Sequence, residues 1–444
     1  MAEASSIALG RYFRELRERR GLSLADVCAL TKSSPEPIDK GTLSRLEHGQ
    51  QTPSIFRLGP LCRIYGISGD AMLERLELDR EVDRLGGPDT GAGEYQRLLE
   101  AGAAASLRTN RKWDAYAYFR DALPLAPAAR RPGAWINLVT SIRSLGKNAL
   151  ALHELREIDA TTELDPPMRA LLQERLSQCC RCLGDMRNAE AHADAAICQA
   201  HAHGDRRILA HAYAARGNVA LDQSQWAVGS DFFLKALASN REAAQEDSRL
   251  VPSPSFEAQI VASLAECALG LGQFPRARRL ALAANRLSRV RNLPMSLAYS
   301  ELWLGKVDEA TGRADRALDR WRRASELAKR IDHPRLLFSA EVEMLRLAIA
   351  AGDRAWARIH RRRLERIAPF VPHHIPAYRT YLGLLDEDRS KKARAEEEKR
   401  HGVPKEASVA VVGGGSRVLG GSSADQRRGR QPRSASSPRS ELEL

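Results

Sequence analysis

The chain has 444 residues, of which 43% are apolar and only 5% aromatic, and its formal charge is +13. That length and composition describe a globular protein of two or three domains. They exclude a small disulfide-stapled scaffold, because seven cysteines scattered over such a length form no framework. No apolar run reaches the roughly 18 residues of a membrane span. The N-terminus lacks an apolar stretch followed by a small-residue cleavage site, so the expected location is the cytoplasm, away from membranes.

Ala, Leu and Arg dominate and β-branched runs are almost absent, so the fold class expected is all-α. Residues 1–80 hold twelve Lys/Arg against eleven Asp/Glu, so the bulk charge by itself says little about DNA.

Five short helices are predicted in this first stretch. Leu9, Tyr12, Phe13 and Leu16 have helical spacing, and Gly21 ends that helix. Ser23 and Asp26 have the form of a capping box that opens a second helix through Leu30. Asp39 caps a third, with Leu43, Leu46 and Glu47 on one side and Gly41, Arg45 and His48 on the other. Residues 52–66 supply a fourth, which Gly59-Pro60 is expected to interrupt, and residues 68–76 a fifth.

This arrangement resembles the helix-turn-helix domain of the XRE (Cro/cI-like) family over roughly residues 7–78. The residues that carry the likeness are RERRGLS (17–23), TLSRLEHG (42–49) and TPS (52–54). The resemblance implies that the third helix enters the major groove of double-stranded DNA. Lys40, Gly41 and Arg45 would then face bases, with Thr42 and Ser44 beside them and Ser23 and Ser54 near phosphates. Arg45 is the strongest candidate, since a guanidinium matches O6 and N7 of guanine with two hydrogen bonds. The family pairs the acid at Glu47 with an arginine at Arg17, a structural ion pair. Three features depart from the pattern: a long loop with two prolines (TKSSPEPI, 31–38), Leu24 where glutamine is frequent, and Gly59-Pro60.

Residues 81–94 read as a linker rich in Gly and charge. Beyond it, a small residue recurs at Ala115, Ala151, Ala189, Gly229, Ala277, Ala317 and Ala357, with spacings near 40. Seven residues after each comes Ala122, Ile158, Ala196, Ala236, Ala284, Ala324 or Leu364. Five before, glycine recurs at positions 146, 184, 272, 312 and 352, where it can cap a first helix in the left-handed conformation. Small positions let two antiparallel helices approach closely. The pattern resembles tetratricopeptide (TPR) repeats, best in residues 304–330, with about seven hairpins over 95–370 and helices about a turn longer than usual. The repeat domain is expected to span 95–385 as an α-solenoid.

By repeat register the inner polar positions are Arg143, Gln178, Arg181, Asn218, Lys306 and Arg346. The resemblance implies that a peptide or protein ligand binds there, and four cations among six point to an acidic or carboxylate-bearing one. Cys179 and Cys182 form a C-x-x-C inside a predicted helix, with no second ligand pair for zinc, and read as packing residues. His192, His201, His203 and His211 share no helix face, and the Gly-rich run from Ser408 lacks nucleotide-binding spacing. No metal, cofactor or catalytic constellation is expected. Residues 386–444 read as a charged extension followed by a disordered Gly/Ser/Arg-rich tail. The whole layout resembles bacterial XRE–TPR regulators, which implies a homodimeric transcription regulator. The alternative is an interaction scaffold that sequesters a protein partner, with weak or vestigial DNA binding.

Overall fold

The computed structural model describes residues 2–85, 94–106, 111–246 and 254–400, and every regular element among them is helical. The first five are α1 (Ala2–Arg19), α2 (Leu24–Leu30), α3 (Lys40–Glu47), α4 (Ile55–Tyr65) and α5 (Gly69–Leu85). Leu9, Tyr12, Phe13 and Leu16 of α1 pack with Val27, Leu43, Leu46, Leu61, Tyr65 and Met72 in one buried core. The capping box is formed: the Asp26 amide donates to Ser23 Oγ at 3.2 Å and the Ser23 amide to Asp26 Oδ2 at 2.8 Å.

The fourth helix departs from expectation, because α4 runs unbroken through Pro60. The carbonyl this proline leaves without an amide partner belongs to Phe56, in the exposed first turn, where water can satisfy it. The fifth helix also outruns its predicted end and reaches Leu85.

Seven helical hairpins follow among the described residues, and each recurring small residue begins the inner stripe of a second helix. The pairs are α6 (Tyr95–Ser106) with α7 (Lys112–Ala122), α8 (Arg131–Ser144) with α9 (Asn148–Thr161), and α10 (Pro166–Leu183) with α11 (Met186–His203). They continue as α12 (Arg206–Asp222) with α13 (Trp226–Glu246), and α14 (Pro254–Gly270) with α15 (Phe274–Val290). The last are α16 (Pro294–Ala310) with α17 (Ala314–Arg330), and α18 (Pro334–Ala350) with α19 (Arg354–Ile367). Ala151, Ala189, Ala277 and Ala317 have no exposed surface, and neither do Ile158, Ala196, Ala236, Ala284, Ala324 and Leu364 one helical face further on. From α10 onward most helices are 17 or 18 residues long, which accounts for the period near 40.

Close approach is visible where small meets large. A Cβ on Gly305 of α16 would lie 2.3 Å from Nε1 of Trp321, a fully buried side chain of α17. The left-handed residue that closes the first helices is glycine in five hairpins, and in the fourth it is Ser224, at φ +61°. Arg216 and Arg361 break the TPR pattern, and the first has a local explanation. Arg216 replaces an apolar residue and is buried over the Phe232 ring at 5.1 Å, ion-paired to Asp194 at 3.2 Å and to Glu190. Arg361, on α19, is half-buried.

The array is closed by α20 (Pro376–Arg400), whose Tyr378 and Tyr381 rings pack on Phe338 at 5.4 and 5.5 Å. The tail from residue 401, including the Gly-rich run from Ser408, lies outside the described residues. Among the described residues, no helix is long and apolar enough to cross a membrane.

Candidate nucleic-acid interface and inner repeat face

The outward side of α3 is built by what holds its other side. Arg17 of α1 makes two parallel bonds to the Glu47 carboxylate, Nε to Oε1 at 2.6 Å and Nη2 to Oε2 at 2.9 Å. It also donates to the Leu22 carbonyl at 2.9 Å, which ties the start of α2 into the same lock. At the far end of α3 the backbones nearly touch: a Cβ on Gly10 would sit 2.5 Å from the Leu46 carbonyl and 2.6 Å from the Gly49 amide. The side chain of Asp39 caps the helix start by accepting from the Thr42 amide at 2.8 Å.

With that side fixed, Lys40, Gly41, Arg45 and His48 are exposed, and Ser44 is half-buried. Thr42 lies beneath the face rather than on it. It is 5% exposed, donates to Asp39 Oδ2 at 2.6 Å and accepts from Arg45 Nη2 at 3.2 Å. Its position therefore steers the Arg45 guanidinium. Ser23 is exposed at the start of α2. Ser54 caps α4, and its hydroxyl donates to Glu36 Oε2 at 2.8 Å, while Arg57 holds the same oxygen at 3.2 Å. The long loop between α2 and α3 thus lays a carboxylate on the helix end that would otherwise offer free amides and a hydroxyl to an anion.

The bundle is clamped to the second hairpin. Glu154 of α9 accepts from the Tyr12 hydroxyl at 3.0 Å, from Arg19 at 3.2 Å and from Trp135 Nε1 at 3.1 Å. Arg20 bridges Glu157 at 2.7 Å and the Tyr65 carbonyl at 2.9 Å. Glu74 of α5 caps α9 from outside, accepting from the Leu150 amide at 2.7 Å, and Glu77 pairs with Lys147. Past residue 80, Val82 of α5 packs against the same apolar core.

On the inner repeat face three of the four predicted cations are already engaged. Arg181 bonds Asp222 at 2.6 Å, Lys306 bonds Glu343 at 2.8 Å, and Arg346 bonds Glu343 at 2.9 Å and also Glu309. Gln178 bonds Glu174, while Arg143 and Asn218 are half-buried, the former with its Nε buried and unbonded. Asp222 also takes Arg335 at 2.6 Å, and its backbone carbonyl takes Arg379 at 3.0 Å, so the fourth hairpin is laced to the seventh and to α20. Burial opposes the charge on Asp222, but Arg335 and Arg181 outweigh it and hold the carboxyl far below the ordinary range. Arg181, Lys306 and Arg346 are therefore neutralised from within the chain.

One further residue of this face has no motif of its own. Glu266 lies eleven residues before its hairpin's small anchor, the register also held by Gln178, Asn218, Lys306 and Arg346. It is half-buried and has no hydrogen bond or ion pair among the described residues. Burial pushes its carboxyl up to about 7. Only the repeat register points to it.

Among the cysteines and histidines set aside, Cys179, His192 and His211 are packed or bonded, whereas His201 and His203 are exposed. Burial raises the Cys179 and Cys180 thiols to about 12 and about 11. His192 bonds Gln173 at 2.7 Å, and His211 lies 4.5 Å from the Phe256 ring.

Residues 8–76 match the family model described as a helix-turn-helix domain. The N-terminal bundle is a helix-turn-helix domain. Over most of its length the chain is similar in fold to the Rap conjugation gene regulator of plasmid pLS20, solved with the Phr* peptide. The TM-score is 0.51 and the identity 12%, over 82% of this chain and 94% of that one. Aspartyl phosphate phosphatase F from Bacillus subtilis gives 0.48 at 14% identity, over 82% and 94% of the two chains. PlcR of Bacillus thuringiensis, solved with the peptide PapR7 and DNA, gives 0.30 at 13% identity, over 74% and 96%. No curated protein matches the sequence. The chain is accordingly a helix-turn-helix domain fused to TPR-like helical repeats.

Proposed function

We propose that this protein is a sequence-reading DNA-binding transcription regulator whose repeats bind a peptide or protein ligand. The observation that carries the reading is the exposure of Lys40, Gly41 and Arg45 on a recognition helix whose opposite side is locked by Arg17, Glu47 and Gly10. Arg45, steered by Thr42, reads a base edge, with Lys40, Gly41 and Ser44 beside it and Ser23 and Ser54 toward phosphates. One such module buries little surface, so the regulator acts as a homodimer on a two-fold site in the cytoplasm. The inner repeat face, through Arg143, Gln178, Arg181, Asn218, Lys306 and Arg346 with Glu266 added, receives the ligand. The pLS20 regulator, whose structure was solved with a peptide, supports this by its shared fold. A ligand that exchanges with the Asp222 and Glu343 bridges changes the set of the repeats, and the Glu154 clamp passes that change to the helix-turn-helix domain.

The experiment is selection of bound sequences from a random duplex library, with wild type and Arg45→Ala in parallel. Wild type enriches a half-site motif and the variant loses preference at one base pair. An identical enriched motif from both proteins removes Arg45 from base reading.

A second reading, a scaffold with weak DNA binding, is favoured by the carboxylate of Glu36 at the start of α4. It requires that wild type enrich no motif at all.

A further inference from the structure

The positive charge of this chain is concentrated in one region. Residues 271–370 hold 22 Lys/Arg against 11 Asp/Glu, whereas residues 1–80 are nearly balanced. Within that region the excess belongs to the second helices. α15, α17 and α19 together carry seventeen Lys/Arg against four Asp/Glu, an excess equal to the formal +13 of the whole chain. The second helices of the four earlier hairpins carry six against ten. A general abundance of arginine does not produce this contrast.

The charges also share a direction. In each hairpin the anchor (Ala277, Ala317 or Ala357) is buried, and positions two, five, six and nine residues later fall on the opposite side of the helix. Seven of those twelve positions are arginine, two are acidic and none is aromatic. Arg279, Arg286, Arg322, Arg323, Arg362 and Arg366 are all exposed. Among the described residues only Arg322 of these six lies near a carboxylate, Asp319 at 3.8 Å. Ile359 is the one exposed large aliphatic side chain among the twelve, short of the cluster of aromatic and aliphatic anchors that a protein interface of this size would show. A row of exposed guanidiniums, each able to grip two phosphate oxygens, matches a regular polyanion instead.

We propose that the outer face of α15, α17 and α19 binds the phosphate backbone of double-stranded DNA, independently of sequence. It supplies the counterion-release affinity that the nearly neutral helix-turn-helix domain cannot. The choice of DNA as partner rests on the proposed function; the polyanion surface does not.

The test uses full-length protein and two duplexes, one carrying the selected motif and one scrambled, titrated between 50 and 200 mM KCl. The quadruple variant Arg279→Gln/Arg322→Gln/Arg362→Gln/Arg366→Gln should lose affinity for both duplexes by about tenfold or more at 100 mM. Its salt slope should be shallower by about three, since each phosphate that a cation neutralises adds roughly 0.9 to the slope. Its preference for the motif, and its helical circular dichroism, should match wild type. Arg45→Ala should do the reverse, reducing the preference for the motif while shifting the slope by one at most. Unchanged slope and affinity in the quadruple variant overturn this inference and leave the regulator reading standing. So does loss of polyglutamate binding with DNA binding intact, which would mean an acidic protein partner. If wild type shows salt-dependent binding without preference and the variant loses it, the surface is upheld and base reading fails. Absence of any salt-dependent binding by wild type overturns both.

Discussion

Glu154 of α9 accepts a hydrogen bond from the Tyr12 hydroxyl of α1 at 3.0 Å, across 142 residues of sequence. Both groups are buried, so a polar lock holds the helix-turn-helix domain to the repeats. Burial works against the carboxylate, but Arg19, His153, Arg75 and the Tyr12 bond outweigh it and hold the Glu154 pKa below its ordinary value. Glu154→Ala leaves Arg19, Tyr12 and Trp135 without their shared acceptor and should cost about 3–5 kcal/mol. Because the folded pKa is depressed, the stabilisation is complete above the unfolded value of about 4.3 and is lost as pH falls through the folded one. Thermal melts at pH 7 and pH 3 should therefore differ more in wild type than in the variant. A melt at pH 7 within a degree of wild type would show that the lock contributes nothing.

Under the proposed function, Glu36 would compete with DNA phosphates for the start of α4. Its carboxylate is held by Ser54 and Arg57, both partly exposed, so the loop itself gains little from the contact. Glu36→Gln should tighten binding to any duplex by about three- to tenfold at 100 mM salt and steepen the salt slope by about one. Fluorescence anisotropy on a labelled duplex reads both. Weaker binding would assign Glu36 to holding the recognition helix in place.

Much of this architecture could be read from residues. The small anchors and the apolar residue seven positions later specify the hairpins, because backbone approach leaves no steric alternative. The Ser23 and Asp39 caps declare two helix starts in four letters each. The clamp was not legible, since no local pattern tells Tyr12 or Glu154 that its partner lies in the other domain. The ion pairs of the inner face were not legible either, because pairing such as Asp222 with Arg335 depends on how hairpins three apart meet. Proline at position 60 suggested a break because the rule ignores exposure of the orphaned carbonyl.

Among the described residues, Ser224 is the one left-handed closure of a first helix that is not glycine, at φ +61°. A side chain there costs roughly 1–2 kcal/mol through contact of Cβ with the carbonyl oxygen. Ser224→Gly should raise stability by about 0.5–1 kcal/mol after the added entropy of the unfolded chain is subtracted. The reciprocal change, Gly312→Ala at φ +76°, should lower it by a similar amount. Urea unfolding of the two variants should move in opposite directions; movement together would mean that the loop relaxes out of the left-handed region.

Gly10 sets the distance between α1 and the recognition helix. A methyl group there meets backbone on three sides, Leu46, Glu47 and Gly49, none of which can rotate away. Gly10→Ala should therefore displace α3 and cost about 1–3 kcal/mol in the domain, weakening motif and scrambled duplex unequally because base contacts need tighter placement than phosphates. Equal weakening of both duplexes would exclude a role in groove docking.

Glu266 gives the inner face its own pH response. Its folded pKa of about 7 lies above the unfolded value of about 4.3, so between these values the folded chain keeps a proton that the unfolded chain has released. Stability contributed by this group is thus complete below about pH 4 and declines as pH rises through 7. Glu266→Gln removes the cost of ionising a carboxyl that has no partner, and should raise stability at pH 8 by roughly 1–2 kcal/mol, the full linkage being reduced by solvent at a half-buried site. At pH 4 variant and wild type should unfold together. A cationic group on a bound peptide would supply the missing partner, so a ligand that engages Glu266 must stabilise wild type more at pH 8 than at pH 5, and must lose that difference in the variant. Equal stabilisation at both pH values would place the ligand elsewhere on the repeats.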